Sequence, residues 1–112
     1  MAVLYHMTPY ETWLHEIRKR GLVPKTGRRG ILADSVEPRI YLFEDEATAH
    51  DGLENWLLDE FPDVRWFAMV EVEVPDEWIQ ADPELAGSFY VTQAVPPAGL
   101  RLIRKIDGGE PT

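Results

Sequence analysis

From Arg65 to Val74 the chain alternates strictly. Trp66, Ala68, Val70, Val72 and Val74 stand on one side, Phe67, Met69, Glu71 and Glu73 on the other, and Pro75 ends the run. A period of two held over this length predicts a β-strand. Glu71 and Glu73 share a face, and such a pair lines the wet side of a sheet more often than it performs acid–base chemistry. The rest of the chain has to supply this strand with neighbours.

The first neighbour is residues 2–6, a short apolar run that stops at His6. Helix-start chemistry follows at once. Thr8 is a good N-cap, Pro9 suits the first helical position, and Glu11 lies three residues after Thr8, which predicts a capping box. His6 then stands at a strand-to-helix corner, beside the positive end of a helix. Within residues 9–20, Tyr10, Trp13, Leu14 and Ile17 fall at helical spacing. Arg18, Lys19 and Arg20 suit the last turn, Gly21 the C′ position, and Leu22 can pack back on the helix. Residues 23–38 read as a loop long enough to suggest function or disorder, with Arg28 and Arg29 between Gly27 and Gly30.

Arg39 to Phe43 reads as the next strand. A second helix runs to about Glu60, with Asp45 as N-cap, Ala49, Leu53, Trp56, Leu57 and Phe61 as its buried face, and Pro62 as its stop. His50 falls on its exposed side. Residues 76–87 are polar with one helical turn, and residues 88–92 and 100–104 are further strands. The helices come early and the strands gather late, which predicts an α+β domain with a mostly antiparallel or split sheet rather than a doubly wound parallel one.

At 112 residues, 45% of them hydrophobic, the chain has room for one core. It contains no cysteine, which excludes disulfides and thiolate metal sites. The absence of a signal-peptide pattern and of a long apolar run leads us to expect a cytoplasmic protein with no membrane partner. The net charge is −9, unevenly spread: residues 1–40 carry seven Lys/Arg against four Asp/Glu, residues 41–112 four against sixteen. That balance argues against strong non-specific nucleic-acid binding, while the basic first third still suits one phosphate group. Glycine-rich phosphate loops are absent, and His6, His15 and His50 lack metal-ligand spacing, so no metal is expected.

Three pieces resemble the ADP-ribosyltransferase fold in its poly(ADP-ribose) polymerase and RNA 2′-phosphotransferase branch. Tyr5-His6-Met7-Thr8, followed by a helix and Gly21-Leu22-Val23-Pro24, is similar to that family's strand-end histidine motif and its sequel. Arg39 to Phe43 with Ala47 resembles the central strand whose aromatic faces nicotinamide. Residues 89–97, with Thr92, Pro96 and Pro97, resemble the late strand and proline turn of the phosphotransferases. Order and spacing agree over roughly residues 3–103.

The resemblance implies one ADP-ribosyltransferase-like domain over residues 1–106, a split, mostly antiparallel sheet with two main helices, and a flexible tail over residues 107–112. It implies NAD⁺ as substrate, with His6 on the nicotinamide-side ribose, Thr8 supporting it and Tyr41 stacked on nicotinamide, both His6 and Tyr41 facing one cleft. Ser88 stands near the expected catalytic position and Gln93 a few residues on. Arg28, Arg29 and Arg39 are the candidates for phosphate, and a protein or nucleic acid is the expected acceptor. The chain departs from the pattern at Met7, where the family has glycine, and in having no Glu between Gly87 and Gly99. Plain structural roles stand beside these: His6 satisfying a backbone group, Tyr41 half-buried in a core, Ser88 and Gln93 structural. The alternative reading is a non-catalytic acidic interaction protein, an inhibitor or nucleic-acid mimic, built on the same scaffold.

Overall fold

The computed structural model describes residues 1–24, 38–54, 61–83 and 87–109. They form an α+β domain around a six-stranded sheet in the order β4-β5-β2-β1-β3-β6. The strands are β1 (Ala2–Pro9), β2 (Ile40–Phe43), β3 (Trp66–Val74), β4 (Gln80–Ala81), β5 (Ser88–Val91) and β6 (Leu100–Asp107). Every ladder is antiparallel. The long alternating strand is β3. It sits between β1 and β6, paired along its whole length.

Each face of the sheet carries a helix. Antiparallel partners share a face, so the pairing of Leu4 with Val72 puts those two on one side with Ala68, Val70 and Val74. Trp13, Ile17 and Leu22 pack there, joined by Ile40, Leu42 and Val91. The opposite side carries Met7, Phe43, Phe67 and Met69, covered by Ala49 of the second helix and Leu53 at its C-cap. The second helix, Glu46–Gly52, starts as its sequence predicts: Asp45 is the N-cap and its carboxylate accepts from the Thr48 N–H at 2.7 Å. His50 is exposed on it. Trp56 and Leu57 lie outside the described residues.

The first helix starts differently from expectation. β1 does not stop at His6 but continues to Pro9, because Thr8 pairs with Ala68 and Pro9 with Phe67. Thr8 is therefore a buried strand residue, Pro9 takes the cap position, and no side-chain cap is made. A local capping preference of about 1 kcal/mol yields to a longer ladder against β3. The helix then runs over residues 10–20, with Trp13–Ile17 in π-helical form, and buries Trp13 and Ile17 as their spacing predicts. At the other end of the chain β6 is longer than expected. Asp107, assigned to the tail, instead pairs with Trp66 and takes two hydrogen bonds from Arg65, at 3.1 and 3.0 Å.

Gly21 closes the first helix at φ +90°, and its N–H bonds the Ile17 carbonyl at 2.8 Å. A β-carbon placed there would stand 2.2 Å from the Val95 carbonyl oxygen. The next residue, Leu22, bridges to Val95 by reciprocal backbone bonds of 2.9 Å. Gly21→Ala should therefore cost about 2 kcal/mol or more, from the left-handed conformation and the backbone clash together. Urea unfolding checks this, and an unchanged midpoint would show that the turn can relax.

The Asp107 carboxyl is held below its usual value of 3.8, chiefly by the Arg65 guanidinium and then by the Gly109 N–H. A lowered folded-state value means the contribution is fully present above the unfolded value and disappears as the pH falls through the folded one. Asp107→Asn should consequently lower the urea midpoint near neutral pH, and the difference from wild type should shrink on acidification below about pH 4. A pH-independent difference would point to a loss of packing instead.

Candidate functional site at the β1–β2 seam

The sheet is unevenly joined. β1 and β3 pair over eight positions and β2 and β5 over four, but β1 meets β2 at one, Tyr5 with Phe43. Past that point a side chain takes over from the ladder. His6 Nδ1 lies 2.9 Å from the Tyr41 carbonyl oxygen. A carbonyl only accepts, so Nδ1 carries the proton, and in the neutral ring Nε2 is an acceptor. His6 thus does what its plain structural reading foresees, satisfying a backbone group, and does so at the weakest joint of the sheet.

The expectation that His6 and Tyr41 face one cleft from neighbouring strands is not met, and with it this part of the resemblance loses its support. They do lie on neighbouring strands. However, Tyr5 shares a face with Phe43, so Tyr41, two residues from Phe43, belongs to that face and His6, one residue from Tyr5, to the other. The odd-numbered β1 residues, Tyr5 and Met7, are the ones that share Tyr41's side. Thr8 shares the side of His6, is buried, and is opposite Ala68. What joins His6 to Tyr41 is the backbone carbonyl.

A second group forms on the face that carries the second helix. Pairing of Tyr41 with Tyr90 and Phe43 with Ser88 sets Tyr41, Tyr90 and Ser88 side by side, with Gln80 of β4 next to Tyr90. The rings of Tyr41 and Tyr90 lie 6.4 Å apart, tilted by 55°. The Arg39 guanidinium carbon is 3.9 Å from the centre of the Tyr90 ring, within the range of an attractive cation–π contact. The Tyr90 hydroxyl donates to Gln80 Oε1 at 3.1 Å. Two donors here are buried yet have no hydrogen-bond partner among the described residues: Arg39 Nε and Ser88 Oγ. A buried donor left unmet costs about 1–3 kcal/mol; the two stand at opposite ends of the β2–β5 ladder, Ser88 opposite Phe43 and Arg39 just before Ile40.

Of the sequence candidates, then, Arg39, Tyr41 and Ser88 come together on one face, and His6 reaches them through the Tyr41 backbone. Thr8 does not join them. Gln93 is exposed past the end of β5, and Arg28 and Arg29 lie outside the described residues. Tyr90 and Gln80 went unnoticed in the sequence. Tyr90 carried a signal, since it shares the parity of Ser88, but only the β2–β5 register sets it beside Arg39. Among the described residues no group of three or more His, Asp or Glu is placed to hold a metal ion, and no helix is long and apolar enough to cross a membrane.

No family model matches this chain, and neither the curated proteins nor the solved structures contain a match.

The seam gives a direct expectation. His6→Phe keeps the ring volume and removes the donor to the Tyr41 carbonyl, so it should destabilise the domain by about 1–2 kcal/mol. Amide exchange should rise in β2 more than in β3. Equal protection in both strands would mean that His6 does not hold the seam.

Proposed function

We propose that this chain is an ADP-ribosyltransferase-like domain that binds NAD⁺ or a related ADP-ribosyl nucleotide on the face shared by Arg39, Tyr41, Ser88 and Tyr90. The observation that carries this reading is the Arg39 guanidinium set against the Tyr90 ring beside Tyr41, with Arg39 Nε buried and unpartnered. Ser88 Oγ, likewise unpartnered, stands at the other end of the β2–β5 ladder. Aromatic faces take a base by stacking, and guanidinium groups match the geometry of phosphate oxygens. The single pairing position between β1 and β2 supports the split sheet that the sequence resemblance implies. Tyr41 stacks one of the ligand's two ring systems, Arg39 meets phosphate, and Ser88 donates to a further oxygen. His6 positions the Tyr41 strand through its Nδ1 bond.

Transfer of ADP-ribose to a protein or nucleic-acid acceptor is the activity this site would serve. Breaking the N-glycosidic bond of NAD⁺ passes through a cation-like transition state, which a nearby carboxylate stabilises. The late strand has no such Glu. The competing reading, an acidic interaction protein, draws on the net charge of −9. Against it, several acids on and beside β3 and β6 are already matched by arginine: Glu71 with Arg101, Asp107 with Arg65, Glu46 with Arg104.

Thermal shift and ligand-observed NMR titration with NAD⁺, nicotinamide and ADP-ribose distinguish the two. NAD⁺ should bind, and Tyr41→Ala should weaken binding by about 1–3 kcal/mol through loss of a stacking surface. Absence of binding up to millimolar NAD⁺ would favour the interaction protein.

A further inference from the structure

Arg39 stands one residue before β2, and what holds its side chain is a ring. The guanidinium carbon lies 3.9 Å from the centre of the Tyr90 ring, a distance that only the face of the ring allows. No side-chain hydrogen bond or ion pair among the described residues involves Arg39, and its Nε is buried and unmet. A buried terminal nitrogen would then be unmet as well. Nε alone is, and Arg39 as a whole is only half-buried, so its two terminal nitrogens keep contact with solvent.

The ring is itself fixed. Tyr90 is buried, and its hydroxyl donates to Gln80 Oε1 at 3.1 Å. Gln80 stands directly opposite Tyr90 in the β4–β5 ladder. β4 is two residues long and adds little to the sheet, but it sets an amide oxygen where the phenol needs an acceptor. The consequence reaches Arg39. An arginine side chain has many rotamers, and binding through it costs the entropy of choosing one. The guanidinium N–H groups lie in the plane of the group, so a ring against its face occupies none of them. The platform removes rotamer freedom ahead of binding and leaves the terminal nitrogens to an oxyanion.

Resting on the reading above, we infer that Tyr90 and Gln80 are positioning residues for Arg39: the Tyr90 ring sets the guanidinium for the diphosphate of the ligand, and Gln80 sets the ring. Neither touches the anion. Arg39 takes it edge-on, through the terminal nitrogens.

NMR of the isotope-labelled full chain reads this through the Arg39 Nε–H signal, which burial protects from exchange and the ring shifts upfield. Inorganic pyrophosphate is the probe, with ADP-ribose and NAD⁺ beside it. Pyrophosphate should bind the wild type at millimolar concentration or below and move this signal, and Arg39→Gln should abolish binding. Tyr90→Leu keeps apolar volume and removes the ring, so it should return Nε–H to its ordinary position and weaken pyrophosphate by about tenfold. Tyr90→Phe and Gln80→Met should each weaken it by about threefold, and together no more than either alone, since both cut the same bond. Melting temperatures establish which variants fold. A folded Tyr90→Leu with wild-type affinity overturns the inference, and so do Tyr90→Phe and Gln80→Met effects that add or are absent. Should Tyr90→Leu not fold, the other two variants decide alone. If pyrophosphate follows this pattern but NAD⁺ and ADP-ribose do not bind, the positioning stands and the proposed function falls. If ADP-ribose binds and its affinity ignores Tyr90 and Gln80, the function stands and the positioning falls. If none of the three binds the folded wild type at millimolar concentration, both fall.

Discussion

The seam between β1 and β2 is the constraint on which the rest of the molecule depends. A sheet joined at one position there would come apart if the ladder alone held it. Other contacts carry the load. On one face the core runs continuously from Leu4, Val70 and Val72 to Ile40, Leu42 and Val91, under Trp13 and Ile17 of the first helix. On the other, Met7 and Phe43 meet beneath Ala49 and Leu53. The two halves share their apolar burial, which is non-directional and tolerates a break in hydrogen bonding. The Leu22–Val95 bridge adds a tie from the end of the first helix to the stretch following β5, and Gly21 is what lets the backbone pass close enough to make it.

The same break explains the polar residues. Backbone groups that leave a ladder need partners, because an unmet buried carbonyl or N–H is costly. The Tyr41 carbonyl takes one from His6. A histidine suits this position since its ring Nδ1 can donate to that carbonyl. The bond that holds this joint is a side-chain-to-backbone one, so the seam's stability depends on His6 as much as on the ladder.

Much of this was legible in local patterns. The alternation of Trp66–Val74, the stripe Tyr10, Trp13, Ile17, and the Asp45 cap each reflect interactions within a few residues, and each appears as read. The failures share one cause, that pairing across the sheet is not local. Thr8 has the chemistry of a cap, but its partner Ala68 lies sixty residues away and wins. β4 is two residues long and leaves no period to detect. His6 and Tyr41 were expected to face one cleft, yet one register position, Tyr5 opposite Phe43, fixes their parity and separates them. The candidate site was read in part: Arg39, Tyr41 and Ser88 are visible as residues, but Tyr90 and Gln80 join them only through the β2–β5 and β4–β5 registers.

Charge is distributed in keeping with this division of labour. In the β1-β3-β6 half, arginines meet acids across neighbouring strands and to the second helix, as Arg101 does with Glu71 and Arg104 with Glu46. These exposed pairs contribute little each, typically under about 1 kcal/mol, but they leave that half locally balanced. In the β4-β5-β2 half, Arg39 is set over an aromatic ring instead of against a carboxylate. In a chain of net charge −9, a partly buried cation without an acid partner among its described neighbours goes against the local trend. Burial raises the strength of every interaction it makes with an incoming group. The acidity of the remaining surface would slow the approach of any anion and lower its affinity at low salt. A nucleotide bound here therefore has to be held by short-range contacts, stacking and guanidinium–phosphate bonds, rather than drawn in by the field of the whole protein.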